Sequence, residues 1–153
     1  MKQDARHLAR LHAVQFLFQA DYNEIGNEVD QALADFWDGL GLPGKLARKC
    51  EALARGVLDQ IDPIDDQLET LLENWRIDRL GGVERNVLRL ALYELNYKPE
   101  VPPVVAVNEA VQVARELSDD KGGAFINGIL QKALQGLDRP LRKGQNSEGG
   151  ARG

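Results

Sequence analysis

The chain is predicted to be all-α, with about seven helices in two packed subbundles. Three observations carry this. Apolar residues recur at the three- and four-residue offsets of one helical face through most of the chain. Glycine and proline interrupt those runs at short intervals. No segment shows the two-residue alternation of a half-buried strand.

The first helix is expected from about Asp4 to Tyr22. Leu11, Val14, Leu17, Phe18 and Tyr22 form one stripe, and Ala9, Ala13, Phe16 and Ala20 widen it. Only His12, Gln15 and Gln19 leave a polar strip, so the helix is expected to be largely buried. A second helix runs from Asn27 to about Leu40 and is stopped by "GLGLPG". A third starts at Pro43, a favourable first-turn proline, and reaches Ile61. Asp62 and Pro63 then read as cap and first turn of a fourth, ending near Trp75. The segment "RIDRLGG" joins the halves. The fifth helix, "VERNVLRLALYELNY", is apolar on most faces and is expected at the centre. "KPEVPP" breaks it, "VVAVNEAVQVAREL" is the sixth, and "KGGAFINGIL" opens the seventh. Residues 1–137 are read as one domain, and residues 138–153, rich in glycine and charge, as a disordered basic tail.

Composition narrows the function classes. At 153 residues, with 43% apolar and 28% charged residues, the chain reads as one ordinary globular domain. No apolar run approaches the roughly 20 residues that span a membrane. The single cysteine, Cys50, excludes an internal disulfide framework and fits the cytoplasm. The net charge is −5, but it is unevenly spread: residues 21–75 carry thirteen acidic residues against four basic ones, between basic ends. Such an acidic body lacks the broad basic patch of a general nucleic-acid binder.

Catalytic and cofactor chemistry find no purchase. His7 and His12 are five residues apart, off the i, i+4 spacing of helical zinc motifs. Cys50 lies beside Arg48 and Lys49, which would lower its pKa, but a small semi-buried helix residue is the simpler reading. The carboxylate pairs Asp65/Asp66 and Asp119/Asp120 are sequence neighbours that point in different directions. In "KGGAFINGIL" the lysine precedes the glycines and no Ser or Thr follows, so it is not a phosphate-binding P-loop. Neither an enzyme, nor a metal, nor a cofactor is expected. The chain reads as a binding protein.

Two stretches suggest what it binds. Arg6 and Arg10 are four apart on the first helix, so both leave the same face, and Lys2 and His7 add reach. Aligned cations of this kind grip a phosphate backbone, although a charged helix end is often only solvated. In the seventh helix Ile126, Ile129, Leu130, Ala133, Leu134 and Leu137 share a stripe, with Phe125 to its side.

Three segments, "WRIDRLGGVERNVLRLALYEL", "VPPVVAVNEAVQVAREL" and "FINGILQKAL", occur in the order and near the spacing of the NusB family. "ARHLARLHAVQFLFQ" is similar in its Ala-Arg, "AVQ" and aromatic positions, and the resemblance covers about residues 4–137. It implies an all-helical fold of two packed three-helix bundles and a transcription antitermination factor that catalyses no reaction. Such a factor pairs with the ribosomal protein NusE, binds single-stranded boxA RNA in nascent ribosomal transcripts, and joins other Nus factors on RNA polymerase. The RNA face it implies comprises Lys2, Arg6, His7, Arg10, Lys121, Gly122, Gly123 and Phe125. Phe125 would stack on a base, while Gly122 and Gly123 would let backbone and helix N–H groups approach the RNA. Gly128 would permit close helix approach. Phe18, Tyr22 and Glu84 would meet NusE, on a surface expected to be separate from the RNA face.

Two departures from the family pattern remove positive charge. His7 and Leu8 interrupt an arginine cluster, and Ala124 stands where a basic residue is common. Binding without the partner is therefore expected to be weak. Two further readings share the pattern. One is the helical module that precedes the catalytic domain of a ribosomal-RNA cytosine methyltransferase, and the other is a protein-interaction module that binds no RNA.

Overall fold

The computed structural model describes residues 4–23, 28–73 and 76–137, with the side chains of Tyr22 and Asn23 left out. Lys2, the Tyr22 side chain, the expected helix ends at Asn27 and Trp75, and the segment 138–153 lie outside the described residues. The elements are α1 (Ala5–Asn23), α2 (Val29–Leu40), α3 (Gly44–Asp59), α4 (Ile61–Leu71), a 3-10 turn (Ile77–Arg79), α5 (Gly82–Tyr97), α6 (Pro103–Leu117) and α7 (Asp120–Gln135). There is no strand among the described residues, as expected. Nor is any helix among them long and apolar enough to cross a membrane.

The boundaries follow local chemistry. Gly41 ends α2 with φ 63, and its N–H closes onto the carbonyls of Trp37 and Asp38. α3 and α4 are separated only by Gln60, because Pro63 sits within the first turn of α4, where its missing N–H has no intrahelical partner to lose. The sequence reading placed Asp62 as the cap; the helix instead starts one residue earlier, at Ile61. Pro103 opens α6 at its first position. α7 starts before "KGGAF": Asp119 is its cap and accepts from the Gly122 N–H at 2.7 Å. That cap places both glycines inside the first helical turn.

α5 is the centre of the molecule and packs against α1, α3, α4, α6 and α7. It buries Val87, Leu88, Leu90, Ala91, Leu92 and Leu95, together with the polar Asn86 and Glu94. α5, α6 and α7 pack on one another as the second bundle. α1 lies on α3, and α2 joins it through an aromatic cluster in which the Phe16 ring is 5.5 Å from Phe36 and 5.8 Å from Trp37. The two halves share one continuous apolar core. Each fully buried leucine in it contributes about 1.5–3 kcal/mol.

Leu88 faces that shared core with no exposed surface. Leu88→Ala is expected to cost about 2–5 kcal/mol of unfolding free energy, measured by urea denaturation followed by circular dichroism.

Candidate nucleic-acid and partner interface

At the start of α1, Arg6 is exposed and its backbone N–H is held by Asp4 Oδ1 at 2.8 Å. Arg10 is not its companion on the surface. The residue is only 6% exposed, and its Nε and Nη2 donate to Glu94 Oε1 and Oε2 at 2.8 and 2.9 Å. Glu109 stands 3.6 Å away on α6. The shared face predicted for Arg6 and Arg10 is real, but one turn along it α5 and α6 cover the helix. Arg10 therefore points into a three-helix junction rather than toward RNA, which corrects its expected role.

His7 is also drawn inward. Its Nδ1 meets Glu109 at 2.8 Å and its Nε2 meets Glu116 at 2.9 Å, so the ring bridges two turns of α6. Both nitrogens can donate at once only when the ring is protonated. Burial pushes its pKa down, but the hydrogen bonds and charges of Glu116 and Glu109 more than reverse this, and it titrates above the ordinary histidine value. His7 thus clamps α1 to α6, and its charge is met by carboxylates instead of being offered to a phosphate.

At the start of α7, Lys121 and Ala124 are exposed, and Phe125 is half-buried against the core. Gly122 and Gly123 are buried. A Cβ at Gly122 would stand 2.8 Å from Glu84 Oε2; one at Gly123 would stand 2.8 Å from Arg115 Cγ and 3.5 Å from the Val111 carbonyl oxygen. Their N–H groups are taken by the Asp119 side chain and carbonyl. These glycines admit neighbouring protein, not RNA backbone, which corrects their expected role. The close-approach function assigned to Gly128 belongs to them, since a Cβ at Gly128 would meet nothing within 4 Å.

At the other end of α1, Phe18 is 40% exposed, with its ring edge over Gly82. It lines an open groove of about 390 Å³ with Val14, Phe36, Leu40, Val83 and Leu117. Glu84, in the first turn of α5, accepts from Ser118 Oγ at 2.7 Å. Glu84 therefore touches the α6–α7 junction. The two surfaces expected to be separate meet there.

Sequence reasoning missed a second polar network. Arg85 donates to Asp21 at 2.7 Å and to the carbonyls of Ile77 and Leu80, tying the 3-10 turn to α1. Arg89 grips both Asp65 oxygens, at 2.8 and 2.9 Å, and reaches Asp21 at 3.2 Å. Burial pushes the Asp21 pKa up, and the Arg85 hydrogen bond with both arginine charges brings it below the ordinary value. The signal was available: arginine, asparagine and glutamate on a helix apolar all round require buried partners. Cys50 is fully buried, and burial pushes its thiol up to about 11, so the neighbouring cations do not activate it.

The family model described as the NusB family matches residues 7–135. The transcription antitermination protein NusB of Desulfitobacterium hafniense is 35% identical over 143 residues, spanning 94% of this chain and 97% of that protein. The NusB of an Anaeromyxobacter species is 40% identical over 139 residues, spanning 90% and 95%. Among solved structures, T. maritima NusB matches with a TM-score of 0.77 at 32% identity, covering 90% of this chain and 94% of that one. A chain from the crystal structure of antitermination factors NusB and NusE in complex with dsRNA matches with a TM-score of 0.77 at 26% identity, covering 86% and 96%.

Two outcomes test the inward-turned cations. Arg10→Ala leaves Glu94 charged and buried, so it is expected to cost about 3–5 kcal/mol in stability, read as a large fall in Tm. For His7, a pKa raised by folding gives stability that is complete below the unfolded value of about 6.5 and lost as pH rises through the higher folded value. The Tm difference between wild type and His7→Gln is therefore expected to shrink as pH is raised from about 6 upward, in parallel thermal melts.

Proposed function

The chain belongs to the NusB family, and from that premise we propose that it is a transcription antitermination factor that binds boxA RNA together with NusE. Its target is the single-stranded boxA element of nascent ribosomal transcripts, in the cytoplasm. It reaches the other Nus factors and RNA polymerase through the complex so formed. It works by binding and catalyses no reaction. The observation that carries this reading is the family match through residues 7–135, with a neighbouring structure that holds NusB, NusE and dsRNA together.

The surfaces support a division of labour. Phe18, half on the surface at the edge of an apolar groove, and the Glu84 carboxylate beside it suit a partner that brings apolar side chains and positive charge. The acidic residues of the preceding helices favour encounter with a basic ribosomal protein. On the RNA side, the exposed Arg6 and Lys121 supply charge, and Phe125, at the edge of the core, supplies a ring face. Lys2 adds a further cation to the same reading. With Arg10 and His7 engaged by carboxylates, few cations remain for phosphate, so RNA affinity depends on the partner.

Fluorescence anisotropy with single-stranded boxA RNA from the organism's own ribosomal leader is the test, run with and without NusE. Much tighter binding is expected in the presence of NusE. For the protein alone the salt slope should be shallow, near about −2, at about −0.7 per phosphate contact on a single strand. Phe125→Ala is expected to cost about 1–3 kcal/mol of RNA affinity, roughly 5- to 150-fold. Its loss of stability should be smaller than the roughly 3–5 kcal/mol of a fully buried phenylalanine. Equal affinity with and without NusE overturns the heterodimer reading, and preference for a duplex of the same sequence overturns the single-strand reading.

A further inference from the structure

We propose that Arg115, on the last turn of α6, is a phosphate-binding residue of the RNA face. The proposal rests on the RNA-binding reading above and supplies the cation that Arg10 does not.

The geometry starts from Gly123. Because that residue has no side chain, the Arg115 stem lies directly across the first turn of α7, with Cγ 2.8 Å and Nε 3.3 Å from where a Cβ would be. The same gap brings the Val111 carbonyl of α6 within 3.5 Å of that point, so the two helices are in close approach here. A stem laid over Gly123 brings Arg115 onto the first turn of α7, the turn that also carries the exposed Lys121.

Arg115 is also free enough to serve. Its side chain is 48% exposed, and its carboxylate neighbour, Asp120, is 3.9 Å away on a side chain that is 98% exposed. A pair so long and so solvated contributes little and holds the guanidinium weakly. The contrast with Arg10, locked by two short bonds inside the fold, is sharp. The next residue, Glu116, turns the other way and receives His7 from α1. The last turn of α6 therefore stands between the α1 start that carries Arg6 and the α7 start that carries Lys121, and Arg115 extends the cationic surface across it. A planar guanidinium suits bidentate contact with phosphate oxygens better than a lysine would.

The experiment titrates full-length protein with NusE against fluorescein-labelled single-stranded boxA RNA at several salt concentrations. Arg115→Ala is expected to weaken binding about tenfold, the lower range for one charge-assisted contact, and to make the salt slope shallower by about 0.7. Arg115→Lys is expected to keep the slope while losing part of the affinity. Gly123→Ala, which keeps every charge but displaces the stem, is expected to weaken RNA binding as well. NusE affinity by calorimetry and the Tm of Arg115→Ala should stay at wild-type values. If the wild-type complex binds RNA and Arg115→Ala binds it with the same affinity and slope, Arg115 is excluded while the RNA reading stands. A weaker affinity with an unchanged slope likewise assigns Arg115 a structural role. If the wild-type complex binds no boxA RNA, the RNA reading and this proposal fall together.

Discussion

Arg10 and Glu94 meet as a two-bonded ion pair inside the junction of α1, α5 and α6, and the placing of the outer surfaces follows from it. A charge taken out of water is tolerated only when its partner is held in good geometry. The pair therefore fixes how far along α5 the first helix lies. Packing around it is tight: the space left among Arg10, Val14, Glu94 and their neighbours is about 10 Å³, at the limit of what one water needs. A second anchor at the opposite end of α1 joins Asp21 to Arg85 and Arg89. With the helices running antiparallel, these two anchors set one register. That register puts Phe18 against Gly82 and leaves part of its ring outside.

The same pinning decides which cations face outward. His7 and Arg10 are both satisfied by carboxylates of α5 and α6, so α1 brings Arg6 to the surface with less charge than its sequence advertises. An RNA surface of low charge binds through geometry and a partner rather than through a general electrostatic field.

At the α6–α7 corner, small residues set the arrangement. Gly122 and Gly123 let Glu84, Ser118 and Arg115 crowd against the start of α7. The carboxylate beside the proposed partner groove is thus one hydrogen bond from the helix junction that carries the proposed RNA contacts. Glu84 and the start of α7 share one corner of the fold.

The sequence by itself determined the class of fold, the helix order and the position of α5. Periodicity, Gly/Pro punctuation and a helix apolar on all faces are local signals, and they needed no knowledge of neighbours. It also placed Phe125 to the side of the Ile126/Ile129/Leu130 stripe, because successive residues turn by 100°. Only the tertiary structure decided the fates of Arg6 and Arg10, which are equivalent on a helical wheel yet differ by one turn in what covers them. It alone showed that Gly122 and Gly123 serve packing while Gly128 does not, since a glycine's purpose lies in the neighbour that occupies the missing Cβ. That the arginines of α5 need partners is legible in the sequence, but that Asp21 and Asp65 are those partners was decided only by the convergence of α1, α4 and α5. A wheel gives each side chain its direction. The depth at which that direction ends in protein or in water is set by helices distant in sequence.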